Sequence, residues 1–239
     1  MLLMALMGAT VLLVSGVALA ATIIGTEGPD LLSGTGAKDL IKGLGGGDKI
    51  NGKGKGDELQ GNEGFDFVCG ENGSDTSYGG AGEDKLSEYD ISQCALTIPP
   101  DGDGYTGADT QFGGEGADFL EGARGPDTEF GGPNPDDDED ELYGDTGGDE
   151  LHGGLGPDYM EGEQGSDQMF GDAGDDYLDA ADEETVDTPD VVNGGDGIDT
   201  CIVNPNDTVS NCEIGVTVPN PTLTTAASAT ADDVEGNSR

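Results

Sequence analysis

From Asp30 to Asp84 an aspartate returns at every ninth position, and no other feature of the chain restricts its fold as much. The series is Asp30, Asp39, Asp48, Asp57, Asp66, Asp75 and Asp84, and glycine keeps the same step at Gly25, Gly34, Gly43, Gly52, Gly61, Gly70 and Gly79. Two places after each aspartate stand Leu32, Ile41, Ile50, Leu59, Val68, Ser77 and Leu86. The phase is lost over 88–103 and resumes with Asp109, Asp118 and Asp127. One unit of 13 residues, Gly131 to Tyr143, carries a four-residue insertion, after which Asp140, Asp149, Asp158, Asp167 and Asp176 return to the step of nine. After a second break at 180–189, Asp190 and Asp199 form a last pair, with Val192 and Cys201 in the apolar slot.

A glycine every few residues is incompatible with a helix, since each costs about 1 kcal/mol in a helix interior. The unit instead alternates a turn with a very short strand. The half Gly-x-x-Gly-x-Asp reads as a tight turn in which glycine permits positive φ. The three residues after Asp read as a strand whose middle side chain points inward. Successive turns fall on alternate sides, so eighteen residues make one coil, stacked about 4.8 Å from the next. The expected fold is all-β: a parallel β-roll, or β-solenoid, of nine-residue Gly/Asp-rich repeats with loop insertions.

Charge then decides what such a roll needs. The 239 residues include 51 acids, 8 bases and 45 glycines, for a formal charge of −43. This composition excludes binding to nucleic acid or to an anionic membrane surface, because phosphate would be repelled. Without the period it would read as disorder. One apolar side chain per nine ordered residues is too little to offset the entropy of ordering them, and stacked carboxylates add repulsion. A cation must neutralise the aspartate rows. Calcium fits best, as a hard ion that takes six to eight oxygens in adaptable geometry. Magnesium demands stricter geometry, and softer metals lack thiolate and imidazole ligands here.

The unit matches Gly-Gly-x-Gly-x-Asp-x-apolar-x, a known calcium-binding repeat. Clean copies are Gly79-Gly80-Ala81-Gly82-Glu83-Asp84, Gly153-Gly154-Leu155-Gly156-Pro157-Asp158 and Gly194-Gly195-Asp196-Gly197-Ile198-Asp199. Over residues 25–87, 104–179 and 190–202 the chain resembles the haemolysin-type (RTX) calcium-binding repeat family. The resemblance implies that turn carbonyls and the Asp carboxylate bind Ca²⁺ between neighbouring coils, at multiple sites. It assigns the metal role to Asp30, Asp39, Asp48, Asp57, Asp66, Asp75, Asp84, Asp109, Asp118, Asp127, Asp140, Asp149, Asp158, Asp167, Asp176 and Asp199.

Some units depart from the pattern. Ala37 and Lys55 replace the fourth-position glycine, and Lys53 with Lys55 places positive charge beside Asp57, where weaker binding is expected. Ser77, Gln111 and Glu129 fill the inward slot, each followed by an aromatic residue: Tyr78, Phe112 and Phe130. Two readings are open there, a local register shift that lets the ring enter the core or an imperfect strand.

Residues 1–20 carry no charged side chain and end Ala18-Leu19-Ala20, which suits a cleaved signal peptide; a retained membrane anchor is the other reading. The expected organisation is a first roll block at 21–87, an insertion loop at 88–103, a second block at 104–179 and a loop at 180–189. A terminal repeat with its cap follows at 190–215, and a disordered tail at 216–239. Four cysteines in an exported chain favour disulfides. Of three pairings, Cys69 with Cys94 and Cys201 with Cys212 close the shortest loops. The second pair would close a hairpin around Asn204-Pro205-Asn206-Asp207 that caps the last coil. Asp101-Gly102-Asp103 begins like an EF-hand, but Phe112 stands where that loop needs Glu. The run 136–141 reads as a solvated acidic bulge.

No catalytic motif appears. There is no His-Glu-x-x-His and no Gly-x-Ser-x-Gly, and the one histidine, His152, takes an outward strand position. The expected function is calcium binding by a secreted, extracellular, non-enzymatic protein that folds on binding the ion. Its role would be structural, in contact with a cell-surface or extracellular-matrix component and without a transmembrane domain in the mature chain. The alternative is an adhesin-like module that binds carbohydrate or another surface ligand through its outward faces.

Overall fold

The computed structural model describes residues 19–87, 107–133, 138–181 and 188–217. Within them the strands occur where the spacing predicts, directly after each aspartate. Two ten-stranded parallel sheets face one another and the chain alternates between them. The first sheet stacks Thr22–Ile24, Leu40–Gly45, Glu58–Glu63, Thr76–Ala81, Thr110–Glu115, Thr128–Pro133, Glu150–Leu155, Gln168–Ala173, Val191–Asn193 and Thr208–Ser210. The second stacks Leu31–Ser33, Lys49–Gly54, Phe67–Asn72, Lys85–Ser87, Phe119–Glu121, Glu141–Tyr143, Tyr159–Glu161, Tyr177–Asp179, Thr200–Val203 and Ile214–Thr217. The protein is an all-β parallel solenoid, and among the described residues there is no helix. Residues eighteen apart pair through the first block, as Leu40 does with Glu58 and Lys49 with Phe67, and in the second block the four-residue insertion widens the step at Phe119 with Glu141 and Thr128 with Glu150.

The core is the single file of inward side chains from each sheet. Ile41, Ile50, Leu59, Val68, Leu86, Leu120, Leu142, Leu151, Met160, Met169, Leu178 and Val192 are fully buried there. Ser77, Gln111 and Glu129 continue the same file and are buried too. This overturns the register shift. Ser77 pairs with Gln111 and Gln111 with Glu129, in line with Leu59 before and Leu151 after. A slip by one residue would turn every side chain of a strand to the other face and would pull its aspartate out of line. The rings therefore stay outside. Tyr78, Phe112, Phe130, His152 and Phe170 stack on the outer surface with centroids 4.7–5.0 Å apart. His152 faces outward as its spacing predicts, with Nδ1 3.3 Å from Asp172 Oδ2 and Nε2 3.3 Å from Glu150 Oε1.

The end of the roll also differs from its expected form. Cys201 and Cys212 are joined by a disulfide, with Cα atoms 6.0 Å apart. The segment between them is not a hairpin. Thr208–Ser210 pairs in parallel with Val191–Asn193, and Ile214–Thr217 pairs in parallel with Thr200–Val203. The chain makes one more coil, and the disulfide ties that coil to the one before. Cys69 is also disulfide-bonded; its expected partner Cys94 lies outside the described residues. So do the EF-hand-like Asp101–Asp103, most of the two expected loops, residues 136 and 137 of the acidic run and most of the segments at both termini. Of the rest of that run, Asp138, Glu139 and Glu141 are exposed as a solvated bulge predicts, but Asp140 is buried and holds a place in the aspartate row. No helix among the described residues is long and apolar enough to cross a membrane.

Candidate metal centre

The aspartates form two ladders, one along each edge of the roll. In each ladder the backbone N–H of one aspartate donates to Oδ1 of the aspartate one coil further on. One ladder runs Asp30, Asp48, Asp66, Asp84, Asp118, Asp140, Asp158, Asp176, Asp199, with N···O distances of 2.7–3.1 Å. The other runs Asp39, Asp57, Asp75, Asp109, Asp127, Asp149, Asp167, at 2.5–2.8 Å. Every aspartate named from the sequence is therefore in a ladder. Three acids outside that set extend them: Asp190 accepts from Asp167, Asp207 from Asp190, and Glu213 from Asp199. Asp190 is in phase with Asp199 and was legible on that ground. Asp207 and Glu213 fall off the nine-residue step, so spacing could not reveal them.

The other oxygen, Oδ2, separates the turns into two kinds. In Asp48, Asp57, Asp66, Asp75, Asp84, Asp118, Asp127, Asp149, Asp158, Asp176 and Asp199 it is buried and meets no hydrogen-bond donor. In nine of these eleven, all but Asp75 and Asp127, it lies against the first glycine of its own repeat, where a carbonyl of the next coil also arrives. A Cβ on Gly153 would stand 2.5 Å from Asp158 Oδ2 and 2.9 Å from the Gly171 carbonyl oxygen. A Cβ on Gly52 would stand 2.6 Å from Asp57 Oδ2 and 2.9 Å from the Gly70 oxygen. Glycine is required there because two oxygens already occupy the space. At Asp30 and Asp39 the oxygen is satisfied within the chain. Asp30 Oδ2 accepts from the Thr26 N–H at 2.6 Å and the Thr26 hydroxyl at 2.9 Å, and Asp39 Oδ2 accepts from the same groups of Thr35 at 2.5 and 3.0 Å.

Burial sets the electrostatics. It pushes the carboxyls of Asp66, Asp75 and Asp127 up to about 6, those of Asp57, Asp84, Asp109 and Asp176 to about 7, and those of Asp118, Asp149 and Asp158 to about 8. The ladder hydrogen bonds pull in the opposite direction, and at most of these positions the adjoining carboxylates add to the rise. Lys53 and Lys55, expected to weaken the Asp57 turn, are both exposed, and Asp57 keeps its place in the ladder.

These are sites of acceptors without donors, with one negative charge per turn. Buried oxygens of this kind call for a proton or a cation. Among the described residues no three His, Cys, Asp or Glu side chains converge as a metal cluster, so backbone carbonyls must complete any ligand set. Carboxylate and carbonyl oxygens in loose geometry suit calcium. The residues present therefore fit the ion.

Comparison with known proteins agrees. The family model for the RTX calcium-binding nonapeptide repeat matches four times, at residues 24–54, 51–86, 103–132 and 143–178, together more than half of the chain. No curated relative matches. The chain belongs to the RTX calcium-binding nonapeptide repeat family.

Proposed function

We propose that the protein is an exported calcium-folded roll that serves as a structural module at a cell surface or in an extracellular matrix, with no catalysis of its own. The supporting observation is the repeated buried Oδ2 without a donor, from Asp48 to Asp199. At neutral pH a stack of such groups opposes folding until cations occupy it, so the chain is disordered where calcium is scarce and folds where calcium is plentiful. The apolar, uncharged run at 1–20 supports export. The test is far-UV circular dichroism of metal-stripped protein at pH 7.5, followed by addition of Ca²⁺. A large gain of β signal is expected, and no gain with calcium would overturn the reading.

The outward aromatic stack supports the second reading, an adhesin-like module for carbohydrate. Its rings lie face to face, with interplanar angles of 6–13°. They therefore present edges to solvent, whereas a sugar ring packs best on an aromatic face. The structural role is favoured for that reason, and a glycan array probed with the calcium-loaded protein distinguishes the two.

A further inference from the structure

Ala21 makes the backbone contacts of a ladder aspartate. Its N–H donates to Oδ1 of Asp39, eighteen residues on, at 2.6 Å, and its carbonyl oxygen accepts from the Leu40 N–H at 2.9 Å. One coil further the Asp39 N–H donates to Asp57 Oδ1 at 2.7 Å, and the Asp39 carbonyl oxygen accepts from the Glu58 N–H at 2.9 Å. Ala21 is thus the first rung of that row, with a methyl group in place of the carboxylate. Its nitrogen is held in position, because Thr22–Ile24 directly after it pairs in parallel with Leu40, Ile41 and Lys42. Asp39 is only 2% exposed. Its carboxylate accepts from the Ala21 N–H and from the N–H and hydroxyl of Thr35, donors that satisfy its oxygens without supplying a positive charge. The Ala21 nitrogen is also the atom released by the signal-peptide cut that Ala18-Leu19-Ala20 suits. The small residues before that bond and the register of the aspartate row are independent observations, and they meet at one nitrogen. Leu19 and Ala20 are exposed, so their removal uncovers little of the roll.

We infer that removal of the leader installs a cation at the head of this row, the α-ammonium of Ala21 paired with the Asp39 carboxylate. Hydrolysis of the Ala20–Ala21 peptide bond consumes one water, with a leader peptidase as catalyst. It leaves a carboxylate on Ala20 and an amino group on Ala21, which is mostly protonated at pH 7. The ammonium keeps the donor that the amide already directs at Asp39 Oδ1 and adds a full charge, so the hydrogen bond becomes charge-assisted. The first turn of the row is then neutralised by the chain itself. The precursor, whose Ala21 nitrogen is a neutral amide, has the weaker roll. This inference rests on the export reading proposed above.

The experiment starts from the full chain, expressed with export, and reads the product by intact-mass spectrometry. A mature chain that begins at Ala21 is expected. A product that begins at another residue overturns the inference, and one that keeps the leader overturns the export reading with it. Thermal unfolding at pH 7 in excess Ca²⁺ then compares the mature chain with its Nα-acetylated form and with a chain that begins one residue earlier, at Ala20. Both comparison chains have an amide at Ala21, and the second keeps the total charge. Both are expected to unfold about 2–4 °C below the mature chain. In Asp39→Asn, acetylation is expected to change nothing. Equal midpoints for the three chains overturn the inference while leaving export and calcium folding intact. An undiminished effect of acetylation in Asp39→Asn overturns it also, by showing a general effect of charge. If Asp39→Asn does not fold, the chain that begins at Ala20 decides alone, because it moves the charge without removing it.

Discussion

Asp39 and Asp48 occupy the same slot of successive repeats, and in both Oδ1 accepts a hydrogen bond from a backbone N–H of the preceding coil, that of Ala21 and that of Asp30. They differ in what their second oxygen meets. Asp39 Oδ2 is held by the N–H and hydroxyl of Thr35, whereas Asp48 Oδ2 is buried without a donor. The cause is the second residue of the repeat. Thr26 and Thr35 stand there in the first two units, while later units place it in the left-handed region, as at Leu44, Lys53, Asn62, Glu71 and Gly80. With threonine the turn closes on its own aspartate. In the left-handed form the turn leaves the carboxylate to a cation. One fold thus contains turns whose aspartate is satisfied within the chain and turns whose aspartate is not, and the former lie in its first two repeats.

Replacing the metal with protons tests this division with the largest effect, because it acts on many turns together. A carboxyl whose pKa in the fold exceeds its unfolded value of 3.8 binds its proton more tightly when folded. Its contribution to stability is complete below that unfolded value and is lost as pH rises through the folded values of about 6 to 8. Metal-free protein should therefore show more β signal by circular dichroism at pH 5 than at pH 8, while calcium should restore the signal at pH 8. Hydrogen exchange at pH 5 should place the gained protection around Asp118 and Asp158. A metal-free roll that is best ordered at pH 8 would contradict the account.

The contrast also appears one aspartate at a time. Asp118→Ala removes the acceptor of the Asp84 N–H, 2.7 Å away, together with a buried oxygen that meets no donor. In calcium it should cost on the order of 3 kcal/mol. Asp30→Ala removes an exposed local contact with Thr26 and should cost about 1 kcal/mol. Thermal unfolding in excess Ca²⁺ measures both, and equal losses would erase the difference between the two kinds of turn.

Much of this architecture was legible in the sequence, because the nine-residue step encodes it directly. Aspartate, inward residue and turn glycine each occur at a fixed offset, so the ladders and the core file follow from counting. The parts that were not legible depend on contacts that counting does not capture. Thr26 and Thr35 look like ordinary turn residues until the turn is built and their hydroxyls reach Asp30 and Asp39. At Ser77, Gln111 and Glu129 a local preference for burying the adjacent ring suggested a shift. The register shared with every neighbouring coil prevails there, and it buries polar groups instead. Between Cys201 and Cys212 a proline-containing turn and two short strands suggested a hairpin. The unpaired edges of both sheets take up those strands in parallel.

The smallest effect is also the most specific, because one substitution at one slot should have opposite signs. Thr35→Gly removes the hydroxyl held 3.0 Å from Asp39 Oδ2 and should cost about 1 kcal/mol. Lys53 occupies the equivalent place one coil on, exposed and left-handed at φ 85°. A side chain in that region costs roughly 1–2 kcal/mol, which glycine avoids at an entropic cost of about 0.5–1 kcal/mol. Lys53→Gly should therefore stabilise the calcium-loaded roll by about 0.5 kcal/mol, and it also removes a positive charge near the Asp57 turn. Paired denaturation curves in Ca²⁺ read the two signs. If both substitutions destabilise, the second residue of the repeat does not choose between the two kinds of turn.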